Sequence, residues 1–385
     1  MFDIDNFINA NSKSFIPFNC PIIVDNQYVY NGSGSNELNF TEIKIISNYV
    51  YFLKAVYKSK KLPILFNLGN VKLTDKFVYS LFEIICYDLI KCGYKVKVKY
   101  NIIEKPIFCE GIDYIPLNLL TVENPDYNKF IKKFNAEIYR NHFRFFAKQN
   151  DKKKNLLPTK IMSDLSIFLN NLINNKKYCQ KISEVVSELV DNTLEHTKSD
   201  CLVDVDVALN YGHKKKVGNI YDGINVCVID LSGRKLGSDI KKFFNDNVNN
   251  VWYNKLRKAY NYHSEHWSAK YSEDDFFMLS AFQNNISSRR KDYHSGGTGL
   301  TMLITTLEND AENYLCYVIN NNRLFKFSSD CLNSNDDLWV GFNKENDFIN
   351  HIPQLNNFEN ANIILPGTAY NLVFVINRSD FYEKK

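Results

Sequence analysis

Residues 181–197 read Lys-Ile-Ser-Glu-Val-Val-Ser-Glu-Leu-Val-Asp-Asn-Thr-Leu-Glu-His-Thr, and their spacing decides how the second half of the chain is read. Ile182, Val185, Val186, Leu189 and Val190 recur at the interval that buries one face of a helix. Glu188, Asn192 and His196 stand at i, i+4 and i+8, so they share one neighbouring stripe. A carboxylate and a carboxamide one turn apart suit hydrolysis at a phosphate. Glu188 can polarise an attacking water while the Asn192 amide oxygen helps hold Mg²⁺ against the phosphates. Taken alone, Glu-x-x-x-Asn also describes an ordinary solvated helix face. His196, in the last turn, equally suits a packing role favoured by the helix dipole.

Three further elements follow in order. Ile224-Asn-Val-Cys-Val-Ile-Asp230 is an apolar run ending in an acid, and Leu231-Ser232-Gly233 comes next. Gly296-Gly-Thr-Gly-Leu300 opens a helical run over 301–307, where glycines let the backbone approach an anion at a helix N-terminus. Leu365-Pro-Gly-Thr368 precedes an alternating strand over 371–376.

In this order the motifs resemble those of the GHKL superfamily: histidine kinases, anti-sigma-factor kinases, gyrase, a class of heat-shock chaperones and MutL. Glu188 to Asn192 resembles the N-box, and the trailing His196 brings it nearest the histidine-kinase and anti-sigma-kinase branch. The resemblance covers about residues 165–380 and implies an α/β sandwich of Bergerat type, a mixed sheet with helices on one face. It implies ATP and Mg²⁺ as ligands, Glu188 as the catalytic residue and Asn192 as the Mg²⁺ ligand. It further implies that Asp230 accepts a hydrogen bond from the adenine amino group, that Gly233 shapes the following turn, and that the Thr368 hydroxyl serves the adenine pocket. Gly296, Gly297, Thr298, Gly299 and Leu300 fall in the phosphate-binding G2 box. The roughly sixty residues between Gly233 and Gly296 would form the ATP lid, with Ser288 and Arg289 in an element whose guanidinium meets the γ-phosphate on closure. A basic surface loop describes 287–291 equally well. His263 and His266 lie three apart in this segment, but no Cys or carboxylate pattern completes a metal site around them.

The chain departs from the family at two boxes. Ser232 and Arg234 replace the two glycines of Asp-x-Gly-x-Gly, restricting the backbone where glycine would enter positive φ. Thr301 stands where many relatives have a further glycine. These changes bear on turnover more than on binding.

The first half has its own pattern. Helical spacing over 41–57, a short apolar run over 62–68, a helical stripe over 77–91 ended by Gly93, and alternation over 94–100 predict a strand–helix–strand unit with parallel strands. This resembles a STAS domain, the fold of bacterial anti-sigma-factor antagonists; an unrelated small α/β domain fits the same pattern. Where such antagonists carry a phosphorylatable serine after an Asp, Asp75 is followed here by Lys76 and Phe77, and the nearest hydroxyl is Thr74. Apolar spacing over 130–146 predicts a connecting helix, and Lys148 to Asn155 with Pro158 a linker. The expected division is 1–125, a small α/β domain; 126–160, a helix and linker; and 161–385, the ATP-binding domain.

Bulk properties agree with a globular protein: 45% hydrophobic, 23% charged and 14% aromatic residues. A net charge of +4, from 47 basic and 43 acidic residues, predicts no obligate nucleic-acid partner. Nine cysteines without CxxC spacing predict free thiols in a reducing compartment. An acidic N-terminus and the lack of any apolar run of about 18 residues predict a cytoplasmic protein without a membrane span. The expected function is a nucleotide-driven conformational switch with Mg²⁺-dependent ATP hydrolysis, in bacterial signalling or defence, acting on a protein partner through the N-terminal domain or as a homodimer. The alternatives are an anti-sigma-type Ser/Thr kinase acting on a partner and a nucleotide-bound interaction module without hydrolysis. An orthodox sensor kinase is not expected, because His142 is the only histidine upstream of the N-box and lacks an acidic neighbour. A gyrase or MutL role would need a transducer domain after the ATP domain, for which this sequence leaves no room.

Overall fold

The computed structural model describes residues 4–12, 22–57, 60–104, 115–135, 138–197, 199–212, 220–246, 250–286, 299–310, 316–334 and 337–378. It is a mixed α/β protein built on two sheets. After helix α1 (Ile4–Ser12), strands β1 (Ile22–Val24), β2 (Gln27–Asn31), β3 (Ile64–Lys72) and β4 (Val96–Glu104) form the first sheet in that order. The β1–β2 hairpin is antiparallel, whereas β2–β3 and β3–β4 are parallel, as the strand–helix–strand reading requires. Helices α2 (Phe40–Val56) and α3 (Lys76–Lys91) supply the crossovers. Past the end of α3, Gly93 N–H donates to Ile90 and Tyr94 N–H to Leu89, the bond pair of a Schellman motif.

One apolar stripe was expected on α3, yet it is buried on nearly every side, including Val78, Tyr79, Phe82 and Cys86. The cause is a second sheet on its far side. Strands β5 (Ile138–Tyr139), β6 (His142–Ala147), β7 (Cys201–Gly212), β8 (Ile220–Asp230), β9 (Tyr317–Lys326) and β10 (Phe358–Asn377) pair in the order β5-β6-β7-β8-β10-β9. The expected mixed sheet with helices on one face is corrected: every pairing is antiparallel, and α1–α3 cover the second face. Alternate residues of β7 serve different cores. Val203, Val205 and Val207 join the core containing α5 (Leu157–Leu172), α6 (Lys176–Asn192) and α10 (Gly299–Asp310), while Leu202 joins the core of α1–α3. The layers therefore run helices, six-stranded sheet, α1–α3, four-stranded sheet, and the two sheets share one packed layer.

The connecting helix expected over 130–146 is corrected. Helix α4 covers only Tyr127–Phe134, and the rest is the β5–β6 hairpin at the edge of the second sheet. Phe130 and Phe134 carry the helical period, whereas Phe143, Phe145 and Ala147 alternate into one core and Phe146 packs against the other. A strand apolar on both faces hides its period of two, and next to a short helix its apolar residues mimic a continued helical spacing. The second sheet thus begins at Ile138, upstream of 161.

The described part of the segment expected to form the lid is largely helical. Helices α7 (Ser238–Asn245), α8 (Val251–Ser264) and α9 (Glu273–Ser280) bury Ile240, Tyr253, Leu256, Phe276 and Phe277 in the main core, and Phe282 joins them just past α9. His263 is sealed there, its Nδ1 against the Tyr271 hydroxyl and its Nε2 2.8 Å from the Phe348 carbonyl; burial lowers its pKa to about 4. Among the described residues, no helix is long and apolar enough to cross a membrane. Seven described cysteines are free, six of them buried.

Candidate functional site

Asp230 ends β8 and is almost fully buried. Three strands meet there. Cys201, the first residue of β7, lies opposite Asp230, and Ala369 of β10 lies opposite Ile229, which brings Thr368 alongside. The C-terminus of α6 reaches the same end: Thr193, directly after Asn192, hydrogen-bonds the Cys201 thiol.

The turn after Asp230 is built by the residues that depart from the resembled Asp-x-Gly-x-Gly motif. Ser232 donates twice to the Asp230 carboxylate, from its N–H to Oδ1 at 2.8 Å and from its hydroxyl to Oδ2 at 2.9 Å. Arg234 N–H then donates to the Ser232 hydroxyl at 3.1 Å. Gly233 keeps the left-handed conformation, φ +82°, and its N–H donates to the Pro366 carbonyl at 3.0 Å. Gly367 sits so close that a Cβ would lie 2.3 Å from the Asp230 carbonyl oxygen, at φ +140°. Asp230, Gly233 and Thr368 are therefore brought together, with Ser199, Ser232, Pro366 and Gly367 as neighbours that the motifs did not single out for contact.

Burial pushes the Asp230 carboxyl up to about 7, against the opposing hydrogen bonds from Ser232 and Ser199. Between the ordinary carboxylate pKa and 7 the folded protein holds a proton that the unfolded chain has released. Stability therefore falls as pH rises from about 4 to about 7 through this group. Buried His263 acts in the opposite sense, losing stability as pH falls from about 6.5 toward 4, so the Asp230 share must be isolated by subtraction. Asp230→Asn is expected to become more stable relative to wild type as pH rises from 5 to 8, read by urea denaturation. A difference that stays constant across that range would refute the raised carboxyl.

Glu188 and Asn192 lie one turn apart on α6, both half-buried beside fully packed Leu189 and Val190. Beyond Asn192 the chain runs on in a π-helical turn, Thr193–Thr197, whose wider spiral takes position 196 off the Glu188–Asn192 backbone stripe. The His196 side chain lies outside the described residues, as do Ser288, Arg289, Gly296, Gly297 and Thr298. Gly299 opens α10, which packs along α6. The Leu300 side chain is in the main core, so what it offers a ligand is backbone. Thr301 is buried with its hydroxyl 3.5 Å from the Phe282 carbonyl, which accommodates a side chain where the resembled motif has glycine.

No family model matches this chain, and neither does any curated protein or solved structure.

Proposed function

We propose that the chain is an ATP-binding protein of the GHKL type, its second sheet and flanking helices forming a Bergerat-type sandwich, and that it works as a nucleotide-driven switch with Mg²⁺-dependent hydrolysis. The observation that carries the reading is the Asp230 end of the sheet, where a buried acid, a left-handed Gly233 turn and the close backbone of Gly367 and Thr368 form one cradle. Asp230 accepts from the adenine amino group and Thr368 supports it. Asn192 would hold Mg²⁺, which supplies charge neutralisation at the phosphates. Glu188 orients the attacking water, and Gly299 with Leu300 offers N–H groups at the start of a twelve-residue helix. Ser288, Arg289, Gly296, Gly297 and Thr298 complete the phosphate side in the same scheme. The STAS-like first half, packed across the far face of the sheet, relays the nucleotide state to a protein partner.

One feature favours a second reading, binding without turnover: Ser232 already engages both oxygens of the Asp230 carboxylate, so base recognition must share or displace those bonds. The test is ATP binding and phosphate release by wild type, Glu188→Ala and Asn192→Ala with Mg²⁺. Glu188→Ala is expected to bind ATP while losing about 100-fold or more in phosphate release. Asn192→Ala is expected to lose Mg²⁺-dependent affinity. Wild-type binding without release would favour the interaction module, or a kinase if labelled phosphate passes to a co-purifying protein. No binding by wild type would overturn the proposal.

A further inference from the structure

We propose that Asn11, on the N-terminal helix, is a positioning residue for the Asp230 site: it pins the Ile364–Gly367 segment of β10 against the Asp230 turn and thereby links α1 to that turn. The inference extends the nucleotide reading, since it takes the Asp230 turn as the ligand-facing part of the molecule.

Asn11 is fully buried, and its amide behaves like a strand edge toward β10. Nδ2 donates to the Ile364 carbonyl at 2.8 Å, and Oδ1 accepts from Ile364 N–H at 2.8 Å, across 353 positions of sequence. Nδ2 also donates to the Phe7 carbonyl within α1 at 2.8 Å, which fixes the side chain to its own helix. Such a clamp is needed where it falls. Pairing of β10 with β9 shifts register between Asn360 and Leu365 and again between Leu365 and Thr368, so β9 leaves ladder positions open in this stretch. Two residues beyond Ile364, the Pro366 carbonyl takes the Gly233 N–H, and Gly367 lies against the Asp230 backbone. At about 3.3 Å per residue, the distance from the clamp to the turn is on the order of 10 Å. On its other side, α1 is tied to the first half through Lys54, which bridges Asp5 at 2.6 Å and Asp88 of α3 at 2.8 Å. A shift of the Asp230 turn thus has a continuous path of hydrogen bonds into the N-terminal layer.

The other titratable groups at the turn do not obscure a test by pH. Cys201 on β7 and Tyr370 on β10 are both held well above their ordinary ranges by burial, and neither ionises between pH 5 and 8. The experiment compares Asn11→Ala with Ile8→Ala, which loosens the packing of the same helix and leaves the clamp intact. Stability is measured from pH 5 to 8, each variant with and without Asp230→Asn, so that only the Asp230-dependent fall is scored. Asn11→Ala is expected to lose at least about half of that fall, because the released turn admits water to the carboxyl; Ile8→Ala keeps it while losing overall stability. An undiminished fall in Asn11→Ala, or an equal loss in Ile8→Ala, overturns the role. If Asn11→Ala does not fold, Asn11→Asp replaces it, since it keeps the acceptor for Ile364 N–H and should show a smaller loss of the same sign. A second measurement needs no variant: hydrogen exchange of wild type with and without Mg²⁺–ATP should show protection rising together in peptides covering 4–12 and 361–369. Protection confined to 361–369 counts against the link. Should ATP not bind, the nucleotide reading fails, and the pH comparison still decides what Asn11 does.

Discussion

Arg144→Met is expected to remove about 3–5 kcal/mol of folding stability, because it leaves Glu83 buried between the two sheets without its cation and takes from Asp204 one of its partners. Arg144 on β6 donates through Nη2 to Glu83 of α3, and through Nε to Asp204 Oδ2 of β7 at 2.8 Å. Lys76 of α3 lies 2.6 Å from Asp204 and 3.3 Å from Asp206, and His142 Nε2 lies 3.0 Å from Asp204. All six side chains are almost fully excluded from water. A surface pair would contribute under about 1 kcal/mol, so burial decides the magnitude here. The network is no proof that charges stabilise this interface better than apolar residues would; the loss measures the orphaned partners. Arg144→Met combined with Glu83→Gln should accordingly recover part of the deficit, since the amide keeps an acceptor for Leu117 N–H, which now bonds Glu83 at 3.0 Å. Burial alone would raise the Asp204 carboxyl, but Arg144, Lys76 and His142 hold it well below the usual range. Its contribution is complete above about pH 4 and is lost as pH falls further, so the wild-type advantage over the variant narrows in acid. Urea denaturation at pH 7 checks the first claim; a loss under about 1 kcal/mol would mean that water reaches the network.

That network was illegible in the sequence for a definite reason. Val203-Asp204-Val205-Asp206-Val207 alternates as a half-exposed strand does, a pattern that ordinarily places the acids on a solvent face. Only the position of α3 converts that face into a buried one, and α3 itself showed a single stripe. Lys76, noted as the residue standing where antagonists carry serine, turns out to be the α3 cation of this contact. The elements marked by one clear period or by a plain apolar run were legible: α2, the β3–α3–β4 unit, α6, β8 and α10 all overlap the stretches where the pattern put them. Within the candidate site, Asp230, Gly233 and Thr368 were marked by motif order. Their proximity rests on β8–β10 pairing across some 140 positions, which no local window contains. The meaning of Ser232 was likewise hidden. As a lost glycine it implied a strained loop, whereas its hydroxyl completes the turn by capping Asp230. Asn11 carried no signal, because a polar residue on a nine-residue amphipathic helix is the default expectation for its exposed face.

Gly367→Ala tests whether the cradle depends on backbone contact as well as on the acid. Two costs add at this position. The φ of +140° is a conformation that residues with a Cβ rarely adopt, and leaving or enduring it costs about 1–3 kcal/mol. The new methyl would also lie 2.3 Å from the Asp230 oxygen and 2.9 Å from its carbonyl carbon, both backbone atoms that no rotamer change can move. Relieving that overlap means prising β10 from β8 at the site, with about 1–3 kcal/mol more and loss of the Gly233 to Pro366 bond. The expected total is about 2–6 kcal/mol of stability, together with a loss of ATP affinity of about tenfold or more. Gly233→Ala separates the two causes. Its φ is +82°, but nothing lies within 4 Å of the added Cβ, so it bears only the conformational cost of about 1–2 kcal/mol. Unfolding and ATP titration of both variants should therefore rank Gly367→Ala as the more damaging in each assay. Equal losses would show that backbone conformation alone governs the turn, and that the close approach of β10 to Asp230 contributes nothing to the site.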